Sequence, residues 1–433
     1  MPILAAARRW FRLDRHAVRP SLPPQIQAIL QNGLLDRTFQ EALAPQFLFV
    51  AGADSQPWTG SLGDTKVMTR KGLLAPVTTP TTGSDPGVSS YGVEQWPVTM
   101  DQYGNSMDTN MLGSSMALAS KYLADIATLG INAGQSINQV CRNKLFNAYA
   151  GGRTWATAAT TTSALLVVQS AAGFGAVLVN GVPTPVSGAN PLNITIAGAA
   201  NTVIGVNTST NTLTLGTAAT VAVGAAVVSA NAPVSIRAVG TNTAYDLTAS
   251  NTVTFQMFRS AVARLRSMNV PTDGGYYPAH IDAVTEAQLF SDPDFKQALQ
   301  GRIDSPVFRD LSIGRFGGID WVRNIETPTV QGGSGGGVTV HRPIVMGAGA
   351  LVAAPYEDTG SLLAGTGVED VPEIAMIDVA PRVQVARIIR PPQDRYQQIL
   401  SSTWSYVGDF GIPSDSLTGD AALYKRAVVL EHA

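Results

Sequence analysis

The stretch "DTNMLGSSMALASKYLADIATLGINAGQSINQVCRNKLFNAY", Asp108 to Tyr149, decides how the rest of the chain is read. Within it Leu118, Tyr122, Ile126, Leu129, Ala133, Ile137, Cys141, Leu145 and Tyr149 recur at steps of three and four. That spacing places them on one face of a helix. A helix over 108–149 would be roughly 60 Å long, about twice the diameter of a small domain. It reads as a spine on which other elements pack. Gly130 and Gly134 near its middle weaken it and allow a bend. Cys141 lies on the apolar stripe and reads as a core residue. As the one cysteine of the chain it excludes an internal disulfide and a Cys-based zinc cluster.

Composition limits the classes of function. The chain has 433 residues, room for two or three domains, and a mean hydropathy of +0.11, which says that much of it is buried. A net charge of −2 excludes a strong global attraction to phosphate, so any nucleic-acid contact is local or weak. Charged residues make up only 14%, and contact surfaces between proteins are depleted in charge, so the composition suits life inside an assembly. No secretory signal core or membrane span is legible, which predicts a protein without a membrane anchor.

Upstream of the spine, residues 1–45 read as an arm carrying Arg8, Arg9, Arg12, Arg15 and Arg19 before "SLPPQ". Residues 46–104 read as a long two-stranded excursion. "DTKVMTRK" (64–71) and "VEQWPVTMDQY" (93–103) are strand-like, and "GLLAPVTTPTTGSDPGVSSYG" between them is dense in Pro, Gly, Ser and Thr. A lone hairpin is marginally stable in water, so this one needs a support, which we expect to be another subunit.

Downstream, residues 154–236 contain no Asp, Glu, Lys or Arg. Their pattern is nevertheless β, with alternating β-branched residues and an Asn180-Gly181 hairpin signal in "GAVLVNGVPTPV". A β-rich domain over 154–245 is predicted, against the bland alternative of a low-complexity linker. Helical period returns at Phe255, Phe258, Val262 and Leu265 and stops at Asn269 and Pro271. Strands are expected at "DGGYYPAHIDAV", "FGGIDWVRN", "VTVHRPIVMG", "RVQVARII" and "ILSSTWSYVGDF", with a short helix in "TEAQLFSDPDFKQAL" capped by Thr285. The class is α+β.

No catalytic constellation emerges. The four histidines, His16, His280, His341 and His432, are scattered without metal-ligand spacing, and no P-loop occurs. Gly332-Gly333-Ser334-Gly335-Gly336 matches the G-x-S-x-G nucleophile elbow, but a strand and not a helix follows it, so Ser334 reads as a hairpin tip. No catalytic, cofactor or metal residue is expected, and no cofactor. A hydrolase would rest on Ser334 alone. A secreted or virion surface adhesin is favoured only by the Thr/Asn/Gly-rich β segment.

The order of arm, excursion, spine and α+β unit resembles the major capsid proteins of tailed, short-tailed bacteriophages, which have the Hong Kong 97-like fold. "GDTKVMTRK", "VTMDQYGNSMD", "AVARLRSMNVPTDGGYYPAHIDAVTEAQLFSDPDF", "IGRFGGIDWVRNIE" and "STWSYVGDFGIPSDSLTGDAALYKRAVVLEH" carry the resemblance. It implies an N-terminal arm (1–45), an extended loop (46–104) and the spine helix of a peripheral domain (105–153). An inserted β-rich domain (154–245) follows, then an axial domain with peripheral-domain strands (246–392) and C-terminal peripheral-domain strands (393–433). The implied function is self-assembly, as hexamers and pentamers, into an icosahedral head shell around double-stranded DNA. The implied partners are a scaffolding protein, a portal and a decoration or cement protein, with assembly in the host bacterial cytoplasm and residence in the virion. Packaged DNA would make only weak, non-specific contact, and the five arm arginines are candidates for touching DNA or scaffold at the inner surface.

Overall fold

A computed structural model describes residues 33–58, 65–72, 87–110, 118–300, 314–333, 337–356, 373–379, 383–390, 398–417 and 422–433, with isolated positions between them. The arm arginines, His16 and Ser334 lie outside the described residues.

The spine helix α2 runs Leu118–Tyr149, preceded by helix α1 over Leu34–Leu43. On α2, Tyr122, Ile126, Leu129, Ala133, Ile137, Cys141, Leu145 and Tyr149 are buried, as the periodicity requires. The arm reading of 1–45 fails at its end. Leu35, Phe39 and Leu43 recur every fourth residue, form the buried face of α1, and join the same core as the spine.

Gly130 and Gly134 are contact points and not hinges. A Cβ on Gly130 would stand 2.8 Å from the Phe39 carbonyl oxygen, and one on Gly134 would stand 2.8 Å from that of Leu43. The missing side chains let α1 lie directly on the spine. Asn138 adds a polar tie: its Oδ1 accepts from the backbone N–H of Leu48 at 3.2 Å and of Phe49 at 2.9 Å.

The spine starts later than its sequence pattern suggests. Asp101–Asn110 is a strand, paired antiparallel with Ile399–Gly411 in a ladder from Asp101↔Gly408 to Asn110↔Ile399. Ten residues of ladder hydrogen bonding to a distant partner outweigh the weak helical signal of Asp108. This pairing is part of a first sheet ordered 54–55, 352–355, 399–411, 383–390, 373–379, with 101–110 also on 399–411.

A second sheet is ordered 235–236, 427–430, 344–346, 277–281, 319–323, 315–316. It forms a wall between two cores. Ile344, Met346, Ala427 and Val429 point to the core that contains the spine. Val345, Val428 and Leu430, the alternate positions, point to a second core built on helix α3, Phe255–Ser267. Of the C-terminal strands, 399–411 joins the first sheet and 427–430 the wall.

Helix α3 ends at Ser267, with Asn269 at φ 54, as its sequence stop signal requires. The cap read as Thr285 is Asp282, whose side chain accepts from the Thr285 backbone N–H. The helix it starts, α4 (Ala283–Ser291), stops before Pro293, where α5 (Pro293–Gln300) begins.

Residues 153–229 build a third six-stranded sheet, ordered 153–155, 226–229, 192–196, 199–207, 212–221, 160–167. Leu166, Phe174, Leu192, Ile194, Val203, Leu213 and Val227 form its own core, which a linker would not possess. Asn180 and Gly181, at φ 53 and 80, make the tight turn between the paired strands 176–179 and 182–185. No described helix is long and apolar enough to cross a membrane.

Candidate assembly surfaces

The excursion is a hairpin in which Thr65–Lys71 pairs antiparallel with Val93–Thr99, from Thr65↔Thr99 to Lys71↔Val93. Its two faces differ. Met68, Trp96 and Val98 turn inward and are buried with Trp58, Val352 and Ala354 against the first sheet. The expectation that only a neighbouring subunit supports the hairpin is therefore corrected: its base has a core within its own chain. The Gly72 N–H donates to the Gly92 carbonyl oxygen at 2.8 Å just past the paired strands. Leu74, Val77, Val88 and Tyr91 are exposed, Val88 fully so.

A buried charge cluster fixes the hairpin's angle. Arg70 Nη1 donates to Asp415 Oδ1 at 2.8 Å, and Arg426 Nε donates to the same oxygen at 3.1 Å. Glu94, opposite Arg70 in the ladder, accepts from the Ser416 backbone N–H at 2.9 Å. Lys425 Nζ donates to the Asp415 carbonyl oxygen at 3.1 Å. Burial pushes the Asp415 carboxyl up to about 7, with Glu94 adding to the rise and Arg70 and Lys425 opposing it. Sequence reading missed this cluster, because its members come from the hairpin and from a loop more than 300 residues later. The only local signal was two opposite charges, Arg70 and Glu94, at facing positions of a predicted hairpin.

A groove of about 410 Å³ opens where the hairpin, the end of the spine and the third sheet meet, with Trp96, Lys144, Asp409 and Tyr424 on its walls. Lys144 Nζ contacts Asp409 Oδ2 at 2.6 Å, and burial raises the Asp409 carboxyl above its ordinary value despite that partner.

The described histidines serve packing in two places. His280 lies in a strand against Phe49, ring centroids 4.7 Å apart, and burial lowers it to about 4. His341 stacks on His432, and its Nδ1 sits 2.5 Å from Asp282 Oδ2. The Thr285 hydroxyl bridges Asp282 and His432 Nε2, but Thr285 is wholly buried and burial lowers His432 to about 4. The group ties residues 431–433 to the start of α4. Among the described residues no cluster of three His, Cys, Asp or Glu side chains could hold a metal ion.

No protein-family model and no curated protein matches the sequence. Solved structures do. The chain is similar to the capsid of Ralstonia phage GP4, with 14% identity and a TM-score of 0.47 over 89% of this chain and 88% of that one. It is similar to the capsid of cyanophage P-SCSP1u, with 11% identity and a TM-score of 0.48 over 89% and 88%. For the capsid of cyanophage Pam1 the figures are 12% identity and a TM-score of 0.46 over 91% and 92%. Over about nine-tenths of its length the chain is thus similar to structures of phage capsids.

Proposed function

We propose that this chain is the major capsid protein of a tailed bacteriophage, a structural subunit that assembles with copies of itself into the icosahedral shell around double-stranded DNA. One observation carries the reading. The hairpin is clamped at its base by Trp58, Trp96 and the Arg70–Asp415 contact, while its tip holds Leu74, Val77, Val88 and Tyr91 in solvent. A projection anchored at its base and bearing exposed apolar side chains suits a contact with a neighbouring subunit. Repeated by symmetry, modest contacts of this kind sum to a closed shell.

In the Hong Kong 97-like reading, the spine and first sheet form the peripheral domain, and the wall sheet with α3 forms the axial domain. The third sheet is the insertion. The hairpin is the extended loop, joining hexamers and pentamers, and scaffold, portal and decoration proteins are the further partners. Arg8, Arg9, Arg12, Arg15 and Arg19 face scaffold or DNA at the inner surface. The shell assembles in the bacterial cytoplasm and resides in the virion.

Replacing 72–92 by a two-residue turn tests the reading. A folded subunit that forms no closed shells is expected, and normal shells would overturn it. Changing the five arm arginines to Gln and measuring assembly and packaged DNA tests the arm; no change in either quantity removes its role.

A further inference from the structure

Three arginines converge on a second, smaller pocket. It has a volume of about 190 Å³ and lies between the last turns of the spine, the start of the third sheet and the hairpin 329–341, with Arg142, Arg153 and Arg342 on its walls. Of the three, only Arg342 has a carboxylate partner among the described residues, Glu431 Oε1 at 2.9 Å from its Nε. Glu431 is already shared with Arg237. Burial opposes its charge, yet Arg342 and Arg237 together hold the Glu431 carboxyl below the ordinary range.

Arg142 finds only neutral acceptors, Asn143 Oδ1 at 3.2 Å and the Glu326 carbonyl oxygen at 3.4 Å. The Glu326 carboxylate is engaged by Asn138 Nδ2. Arg153 pairs with no carboxylate among the described residues, and its Nε is buried without a hydrogen-bond acceptor. Burial and the nearby Arg237 both lower its affinity for its proton. Three guanidiniums, Arg153, Arg237 and Arg342, thus share the influence of one carboxylate, Glu431. A buried guanidinium donor left without an acceptor is costly, and its forked donors match the geometry of a carboxylate or phosphate.

We propose that this pocket binds one oxyanionic group, a phosphate or a carboxylate, between Arg153, Arg142 and Arg342. Its size admits a single such group with a water or two, and is below the range of pockets that enclose a drug-sized ligand. Asn143, Gln169 and Ser170 on the same walls provide further polar contacts. The group comes either from free phosphate or from an acidic side chain of a neighbouring copy; the chemistry recognised is the same. The proposal goes beyond the shell reading and does not depend on it.

The test is the melting temperature of the unassembled full-length protein titrated with inorganic phosphate, with chloride at equal ionic strength as control. A saturable rise specific to phosphate is expected, and R153Q weakens the apparent affinity about tenfold or more. R142Q, on the partly exposed side of the spine, gives the same direction and serves if R153Q does not fold. A response equal to that of chloride, or unchanged in both variants, overturns the proposal. The titration repeated on closed shells separates the sources. A response lost on assembly assigns the group to a neighbour's carboxylate, and one that persists assigns it to free phosphate. Only this last arm rests on the shell reading, so failure to assemble leaves the subunit result standing.

Discussion

Arg70 and Asp415 meet at 2.8 Å across 345 residues of sequence, and their contact joins the base of the projecting hairpin to the loop before the last strand. Arg70 links the hairpin to that loop by an ion pair, and Glu94 reaches the same loop through the Ser416 backbone N–H. Changing Arg70 to Met keeps the stem length and removes the charge. It leaves Asp415 with Arg426 but strips one charge-assisted hydrogen bond, so a loss of about 1.5–3 kcal/mol is expected. Urea unfolding of the isolated subunit measures it, and protease cleavage within 72–92 is expected to accelerate in parallel.

Asp415 makes the subunit sensitive to pH. Its carboxyl titrates near 3.8 when unfolded and at about 7 when folded, so the folded state holds the proton more tightly. The stability it contributes is therefore full below the unfolded value and is lost as pH rises through about 7. Between those values the wild-type subunit is expected to lose stability with rising pH, and Asp415→Asn is expected to flatten that slope. Parallel slopes for the two proteins would show that Asp415 does not titrate in this window.

Gly130→Ala is expected to destabilise, although alanine is the better helix former by about 1 kcal/mol. The added methyl would press on the Phe39 carbonyl oxygen, 2.8 Å away, and on the Ala42 Cβ, 3.2 Å away. Displacing α1 from the spine outweighs the propensity gain, for a net loss of about 1–3 kcal/mol by thermal or urea unfolding. An unchanged or raised midpoint would restore the reading of Gly130 as a simple bend point.

The two hairpin lysines are poor candidates for a covalent weld between subunits. Lys66 Nζ donates to the Pro57 carbonyl oxygen at 2.8 Å, and Lys71 lies over the Tyr91 ring at 5.7 Å. Neither sits beside a described carboxylate that would take its proton, and a charged ammonium is no nucleophile. Particles boiled in detergent are expected to run as one band near 45.3 kDa. A surviving ladder of multimers would contradict this.

What the sequence shows best is periodicity within one element. Phe258, Val262 and Leu265 announce α3, and Tyr122 to Tyr149 announce the spine, because a helix makes its hydrogen bonds locally. The start of the strand Asp101–Asn110 was legible, but its end at 108–110 was read as helix, since its partner, Ile399–Gly411, lies far along the chain. The same distance concealed the Arg70–Asp415 contact and the Arg153 pocket, whose members come from four separate segments. The charge-free stretch was legible as β from its turn at Asn180-Gly181, but its six-strand order was not. Neither glycine of the spine revealed α1 as its neighbour, because a missing side chain names no partner.

The most direct measurement is electron microscopy of the purified full-length protein under assembly conditions. The account predicts closed icosahedral shells, or hexameric and pentameric capsomers, whose projecting hairpins contact neighbouring subunits through Val77, Val88 and Tyr91. Fibres, or uniform monomers that never associate, would contradict it.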